Sequence, residues 1–447
     1  MPSELVESSL NAIAEVTDYV ANGSFASLKE NVQYLSGDGY AILVRLVDHN
    51  SGWTGEHVFV DEKAYRFLAK SSLKAGDIVI ANVGANAGTV FRVPKLTKPA
   101  TLGPNAVMVR PRKGSEADND FLYYYLISPL GQSKLRSITS GSAQPKFNKT
   151  DLRALQIALP SLATQQDAAS TLLALDRKIA LLRETNATLE AIAQALFKSW
   201  FVDFDPVRTK AEGRDPVGVP PEVADLFPSE FEDSELGEVP KGWRVGAFAD
   251  ITDVVGGGTP STKEPAYWEE GQHYWATPKD LSGMDTPVLL ETERKITDVG
   301  LAKISSGLLP VGTVLMSSRA PIGYLAIAEV PVAVNQGFIA MKPKAGISNL
   351  FLLDLLRVQM DEIKSHANGS TFMEISKAAF RPLKVVVPPM TVIQAFDDVA
   401  RSLYERMVGN VRQIDSLTDL RDALLPRLMS GKLRIPESQE IAEEATA

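Results

Sequence analysis

The sequence predicts an α+β protein made of two copies of one unit, each a mixed domain followed by a long coiled-coil helix. A nine-residue segment recurs far along the chain, and each copy mixes short β-branched runs with turn residues and short helical stretches. Each copy then ends in a heptad stripe. Because the order is domain, helix, domain, helix, we expect two duplicated domains separated by two antiparallel helices, with pseudo-twofold symmetry.

The repeat is clearest where residues 141–149 match residues 369–377 at an offset of 228. The same offset aligns the helix positions Leu189 and Leu417 without a gap. Upstream the offset rises to 235, where residues 14–18 recur as 249–253, as loop insertions would produce. Duplication is therefore a property of the whole chain.

Composition sets the boundaries between these parts. Residues 203–235 contain five prolines, and their ten acidic residues outnumber three basic ones, which is typical of a linker. The phenylalanines of this stretch indicate that it is pinned to a folded part. The predicted parts are a first domain at 1–160, a helix at 161–202, a linker at 203–236, a second domain at 237–388, a helix at 389–431 and a tail at 432–447.

Apolar residues in both helical segments alternate in steps of three and four, which indicates a coiled-coil seam; a helix packed on a globular core is the alternative. The predicted seam positions are Leu175, Ile179, Leu182, Asn186 and Leu189 in the first helix, and Leu403, Met407, Asn410, Ile414 and Leu417 in the second. Symmetric antiparallel pairing places Asn186 opposite Asn410. A buried asparagine pair would fix the register of the helices, whereas two exposed asparagines at a bend are the alternative.

Composition also excludes several classes of function. Cysteine is absent, and the four histidines lack metal-ligand spacing, so we expect no disulfide, thiol nucleophile or metal site and a reducing cytoplasm as the compartment. No apolar run is long enough for a membrane helix. The net charge of −9 does not exclude nucleic acid, because residues 92–113 hold six basic residues and no acidic one.

Enzymatic machinery is not recognisable in the sequence. There is no phosphate-binding loop of the G-x-x-x-x-G-K-[ST] type, and the glycines at 84–88 and 256–258 lack the context of a dinucleotide site. A G-x-S-x-G nucleophile elbow and the Asn/Asp-Pro-Pro-aromatic motif of amino-methyltransferases are also missing. These absences favour a binding protein.

The first helix carries the most specific motif. Residues 189–207, LEAIAQALFKSWFVDFDPV, closely resemble the central conserved region of type I restriction-modification specificity subunits. Weaker matches of the same kind are LGEVPKGW at 236–243, GTPS at 258–261, NQG at 335–337 and LLPRLMSG at 424–431.

The resemblance implies that each α+β unit is a target-recognition domain that reads one half of a split sequence in double-stranded DNA. The helices would set the spacing and dock two methyltransferase subunits, and restriction subunits would join the full complex. S-adenosylmethionine, ATP and Mg would then belong to those partner subunits, and this chain would hold no cofactor and catalyse nothing.

DNA contacts require cations at phosphates and amide, hydroxyl or guanidinium groups at base edges. The candidates in the first domain are Asn82, Asn86, Gln144, Lys146 and Lys149, with Gln144 expected at bases and the two lysines at phosphates. The candidates in the second domain are Thr259, Ser261, Lys263, Ser317, Arg319, Asn335, Gln336, Ser370 and Thr371. Arg319 is the strongest of them, with a structural ion pair as its alternative role. A duplicated coiled-coil scaffold that binds no DNA remains the alternative for the whole chain.

Overall fold

The computed structural model describes residues 5–369, 373–431 and 433. The chain divides into two compact units. The first contains the described residues up to Ile179 and those from Asp415 onward, and the second runs from Ala180 to Ile414. Both long helices therefore contribute one part to each unit.

The elements before the first long helix form the first domain. Its strands are β1 Val6–Ser9, β2 Ala14–Asp18, β3 Ala41–Val44, β4 Phe59–Val60, β5 Ser72–Leu73, β6 Ile78–Ala81, β7 Val90–Arg92, β8 Ala100–Leu102, β9 Ala106–Pro111 and β10 Gln156–Leu159. Its α-helices are α1 Leu10–Ile13, α2 Phe25–Asn31, α3 Leu46–Asn50, α4 Glu62–Phe67, α5 Asn119–Ile127, α6 Pro129–Ile138 and α7 Lys149–Ala154.

The remaining elements run from the first long helix to the second. The helices are α8 Leu162–Phe201, α9 Asp205–Ala211, α10 Pro221–Ala224, α11 Phe248–Ile251, α12 Pro278–Leu281, α13 Asp298–Leu301, α14 Asn349–Val358, α15 Met360–Ser365, α16 Lys377–Phe380 and α17 Met390–Met429. The strands are β11 Phe231–Ser234, β12 Gly237–Pro240, β13 Arg244–Ala247, β14 Thr252–Val255, β15 His273–Ala276, β16 Val288–Leu289, β17 Arg294–Ile296, β18 Val314–Ser318, β19 Ile322–Ala328, β20 Val332–Val334, β21 Phe338–Pro343 and β22 Lys384–Val387.

Both domains share one sheet topology. The first has an antiparallel sheet in the order β2-β9-β6-β7, and the second has β14-β21-β18-β19 extended by β16. A second small sheet in each domain contains a parallel pair, β3 with β8 and β15 with β20. The first and last strands of each domain also pair, β1 with β10 and β13 with β22. The predicted duplication is thus confirmed at the level of strand order.

The central strands are buried on both faces, which explains the apolar run of β6 and of the first three residues of β18. Strands β6 and β18 show no exposed residue, and each lies between two antiparallel neighbours. Helices α5 and α14 follow the sheets and begin at the N-cap residues Asp118 and Ser348, whose side chains accept backbone amide hydrogens. The same cap chemistry at equivalent places starts the same helix in each copy.

The segment that composition identified as a linker is folded onto the second unit. Phe204 and Phe227 are buried, and Phe231 packs against the same core. Phe227 lies edge-on to Trp200 of helix α8, with ring centres 5.2 Å apart. The segment forms the short helices α9 and α10 and the β11-β12 hairpin in spite of its prolines. It can do so because its aromatic rings supply apolar surface to bury.

The two long helices each span 40 residues. At roughly 1.5 Å per residue, each rod is about 60 Å long. The helix predicted at 161–202 corresponds to α8, and α17 continues past Pro426 into its last turn. Within the second unit the helices run antiparallel, since Asn186 contacts Asn410 while Phe197 contacts Phe396.

The seam residues are mostly buried. Fully or nearly buried positions are Leu175, Ile179, Leu182, Asn186, Met407, Asn410 and Leu417. Leu189 and Ile414 are partly buried. Leu403 is likewise partly buried, and its neighbour Tyr404 is buried where helix α17 packs against the second domain.

Candidate nucleic-acid interface

Two loops of the first domain are joined to each other. Val83 forms an isolated β-bridge with Lys146, and the Gly84 amide donates to the Pro145 carbonyl at 2.9 Å. The Asn82 side-chain amide donates to the Phe147 carbonyl at 3.2 Å. We call residues 82–89 and 140–148 the first-domain paired loops. They bring together candidates that lie more than 50 residues apart in the sequence and present them on one surface.

The predicted DNA contacts on the paired loops differ in their exposure. Asn86, Gln144 and Lys146 are exposed, so their side chains can meet a ligand. Asn82 is half-buried, and it holds the loops together. Its role is therefore that of a positioning residue rather than of a direct reader.

Lys149 departs from the prediction. Its ammonium group lies 2.8 Å from Asp18 Oδ1, and only 22% of the lysine side chain and 14% of the aspartate side chain are exposed. Asp18 also accepts the Ala21 amide hydrogen at 2.9 Å. The lysine is committed to a partly buried pair, which leaves Lys146 as the candidate for a phosphate contact on this loop.

Half of the six basic residues at 92–113 are paired with acids from elsewhere in the first domain. Arg92 lies 3.0 Å from Asp120, and Lys98 pairs with Asp38. Arg110 donates to Asp77 at 2.7 Å, and these hydrogen bonds raise the pKa of the Arg110 guanidinium. Three of the six cations thus support the fold, whereas Lys95, Arg112 and Lys113 are exposed.

The second domain joins its corresponding loops in the same way. Arg319 forms an isolated bridge with Glu374, as Val83 does with Lys146, and the Ile375 amide donates to the Ser318 carbonyl at 3.0 Å. We call residues 317–323 and 368–375 the second-domain paired loops, described here without 370–372. The predicted contacts Ser370 and Thr371 lie outside the described residues.

Arg319 forms the ion pair that the sequence left open, and its side chain also stays partly exposed. Its Nη1 lies 3.6 Å from Glu374 Oε2, a long and partly hydrated ion pair. About 38% of the arginine side chain is still exposed. An exposed pair of this kind contributes little stability, roughly 0 to 1 kcal/mol, so the guanidinium can exchange Glu374 for another acceptor at small cost.

The prediction that Ser317 contacts DNA is wrong. Its side chain is fully buried, and Oγ accepts the amide hydrogens of Gly323 and Tyr324 at 3.1 and 2.8 Å. The same hydroxyl donates to the Pro321 carbonyl at 2.8 Å. All of its hydrogen-bonding capacity is used to shape the loop that carries Arg319, and no face of it is available to DNA.

A third loop adds polar groups beside Arg319. The exposed Thr259 hydroxyl donates to the side-chain oxygen of the exposed Gln336. Asn335 Oδ1 accepts the Gly337 amide hydrogen at 2.8 Å, which leaves the amide end of the side chain for a ligand. Gly257 permits this approach, since a Cβ there would lie 1.8 Å from the Val334 carbonyl oxygen.

Arg319 and Asn335 line one open cavity of about 460 Å³. Thr277, Lys279 and Tyr324 complete its wall. Polar side chains from separate segments therefore line one concave surface of the second domain.

A cluster of aromatic and basic residues lies beyond Ser261 and Lys263, which are both exposed. The Trp268 indole donates to the Ser261 carbonyl at 3.0 Å, and the Arg294 guanidinium lies 3.7 Å from the centre of the Trp268 ring. Lys295 lies 4.5 Å from the Tyr274 ring centre. Arg294 and Lys295 are exposed cations held at fixed positions by aromatic rings.

The sequence reading missed this cluster, although adjacent Arg294 and Lys295 were a signal for it. Their aromatic partners come from other segments, and only the fold brings them together.

No group of three or more His, Asp or Glu side chains is arranged to hold a metal ion in the part of the chain that the structure describes. Among the described helices, none combines the length and the hydropathy of a membrane span.

Comparison with known proteins identifies the family. The family model for the type I restriction modification DNA specificity domain matches twice, over residues 13–191 and 240–396. The HindI specificity subunit of Haemophilus influenzae is 28% identical over 416 residues, which cover 82% of this chain and 88% of the relative. The MjaIX specificity subunit of Methanocaldococcus jannaschii is 38% identical over 180 residues, which cover 38% of this chain and 41% of the relative.

A solved structure agrees on the fold. The S subunit of the type I restriction-modification system from M. genitalium superposes with a TM-score of 0.57 at 16% identity, covering 95% of this chain and 96% of that one. With both domain matches, the chain belongs to the family of type I restriction-modification DNA specificity subunits, and its two α+β domains are recognition domains.

Proposed function

We propose that each domain of this chain reads one half of a bipartite sequence in double-stranded DNA. One observation carries the proposal: both domains build the same pair of bridged loops but place different polar side chains on them. The first domain presents Gln144 and Lys146, and the second presents Arg319 beside Asn335. A common framework with different readers is what the recognition of two different half-sites requires.

The two long helices would set the distance between the half-sites and dock the partner subunits. Each is a continuous 40-residue rod. Within the second unit these helices expose the apolar side chains of Leu181, Ile192 and Val399, which are 57%, 49% and 46% exposed. Such side chains support docking of protein partners, and two domains in one chain support two methyltransferase subunits, one for each half-site.

Chemistry is assigned to the partners. The methyltransferase subunits would carry S-adenosylmethionine, and restriction subunits in the full complex would use ATP and Mg. This chain would then act without catalysis of its own and without a cofactor. The family of specificity domains supports this division, and a DNA substrate together with a chain free of cysteine supports a cytoplasmic location.

Salt-dependent binding tests the proposal. The chain is purified with its methyltransferase partner, and binding to duplex DNA is measured by fluorescence anisotropy between about 50 and 200 mM salt. We expect the logarithm of the affinity to fall linearly with the logarithm of salt concentration, because phosphate contacts release counterions. If no duplex binds even with the partner present, the chain is a protein-interaction scaffold instead.

A further inference from the structure

The first domain contains an open cavity of about 610 Å³ beside its paired loops. Asn82 and Val83 form one wall, and Val83 is the residue bridged to Lys146. Phe25 and Tyr34 form another wall, with Lys29 at the rim. The cavity is thus continuous with the surface that presents Gln144 and Lys146.

The duplication gives this cavity a counterpart in the second domain. Residues 23–25, Gly-Ser-Phe, follow Asp18 at the same spacing at which residues 258–260, Gly-Thr-Pro, follow Asp253. Pro104, which lines the cavity, lies two residues after strand β8, and Gln336 lies two residues after the equivalent strand β20. The loops that bring Thr259 to Gln336 in the second domain are therefore the loops that enclose the cavity in the first.

The two counterparts differ in chemistry. In the second domain the polar Thr259 and Gln336 are exposed and bonded to each other. In the first domain the Ser24 hydroxyl accepts the Ser27 amide hydrogen at 3.2 Å and caps helix α2. The exposed side chain at this place is Phe25, which is 82% exposed, and Tyr34 across the cavity is 53% exposed.

The exposure of the Phe25 ring has to be explained, because burying such a side chain would contribute roughly 1.5 to 3 kcal/mol to stability. Phe25 lines the cavity together with Leu28, Val32 and Tyr34. Lys29 lines it as well, and Lys146 is exposed on the adjoining paired loops. Those cations suit phosphates, so the ring would face the groove between them. The main apolar feature that the major groove offers there is the 5-methyl group of thymine.

We propose that Phe25 is a specificity-determining residue of the first domain that contacts the 5-methyl group of a thymine in its half-site. The inference rests on the proposed function. Phe25 selects thymine by shielding its methyl group from water, and the paired loops supply the polar contacts to neighbouring bases.

Uracil substitution isolates this contact, since deoxyuridine differs from thymidine only by the missing methyl group. The chain with its methyltransferase partner is titrated with duplexes that carry the target read from the methylated adenines of host DNA. Each thymine of the two half-sites, on both strands, is replaced by uracil in turn. One thymine of one half-site should show a three- to tenfold weaker binding as uracil, about the effect of one methyl group exposed to water.

The variant Phe25→Ala should bind thymine and uracil at that position equally, while every other position keeps its wild-type response. Val47→Ala is the matched control, because Val47 is an exposed apolar residue of the same domain at 54% exposure and does not line the cavity. Phe25→Leu should keep part of the discrimination.

The outcomes separate this inference from the proposed function. If wild type prefers its target but tolerates uracil at every position, or if Phe25→Ala keeps the discrimination, the role of Phe25 is wrong and DNA reading stands. If wild type shows no preference for any duplex sequence, the proposed function itself fails.

Discussion

The side-chain amide of Asn410 donates a hydrogen bond of 2.7 Å to the side-chain oxygen of Asn186, and both residues are at least 98% buried between the two long helices. The duplication offset of 228 places Ile414 at the position of Asn186 and Leu182 at the position of Asn410. The seam layer formed by Asn186 and Asn410 is therefore polar, whereas the corresponding layer formed by Leu182 and Ile414 is apolar. The pair distinguishes one register of the helices from others that would bury the asparagines against leucine.

Replacement of one asparagine should destabilise the protein. Asn186→Leu leaves the Asn410 amide buried without an acceptor, so the free energy of unfolding of the second unit should fall by about 1 to 3 kcal/mol. Urea denaturation of the full chain, followed by tryptophan fluorescence, measures it. The double variant Asn186→Leu/Asn410→Leu should recover most of this loss, because neither polar group remains. A double variant as unstable as the single one would contradict the pairing.

Tyr404 stabilises the second unit in a way that should be lost at alkaline pH. Its hydroxyl donates to Glu329 at 3.0 Å, and burial, with the nearby Glu329 carboxylate, raises the pKa of the Tyr404 phenol. A raised pKa in the folded state means that the stabilisation is complete below the unfolded value, about 10, and is lost as pH rises above it.

Tyr404→Phe should therefore lower the free energy of unfolding near neutral pH by about 1 to 2 kcal/mol. The variant should also lose less further stability than wild type between about pH 9 and 11. Denaturant titrations across this range measure both effects. Tyr40→Phe, at an exposed tyrosine, serves as the control and should follow wild type. Equal pH slopes for Tyr404→Phe and wild type would show that the phenol does not titrate as described.

Arg319 should read a base in the half-site of the second domain. Arg319→Ala is expected to relax specificity at one base pair by roughly 1 to 3 kcal/mol while other positions keep their preferences. Competition binding with single-base variants of the target measures it. Arg319→Lys retains the charge but lacks the bidentate fork, so it should resemble the alanine variant in specificity. Uniform weakening on all duplexes would show a phosphate contact only.

Gln144 and Lys146 should behave differently although they lie on the same loop. Gln144→Ala should relax one position of the other half-site, again by roughly 1 to 3 kcal/mol. Lys146→Ala should weaken binding to every duplex alike and reduce the salt slope by about one. Salt titrations of both variants, with the methyltransferase partner present, distinguish them. An unchanged slope for Lys146→Ala would remove its phosphate contact.

The long helices and the asparagine pair could be predicted from sequence because periodicity is local and the repeat supplied the register. The heptad steps around Leu182 require no knowledge of distant residues, and symmetric antiparallel pairing of the two repeated stripes then places Asn186 opposite Asn410. The repeat also predicted that the two domains share one fold, which their common strand order confirms.

The fate of individual polar residues was harder to predict, because their partners come from distant parts of the chain. Lys149 pairs with Asp18 across 131 residues, and Lys98 pairs with Asp38 across 60. Composition alone describes both lysines as free cations. The prediction for Ser317 was wrong for a related reason. The sequence of a loop does not show whether a serine hydroxyl faces solvent or bonds to the loop itself.

Phe25 could have been found in advance. The offset of 235 that aligns residues 14–18 with 249–253 also aligns Gly23 with Gly258. Extending that alignment by two residues leads to the cavity beside Phe25.

Mapping of methylated adenines in host DNA is the most direct test of the claim that the two domains read two half-sites. Cells that carry wild type should show methylation at a bipartite target, two short specific sequences separated by a spacer of constant length. Gln144→Ala should broaden one half alone, and Arg319→Ala should broaden the other half alone. An uninterrupted target sequence, or two variants that broaden the same half, would contradict the account.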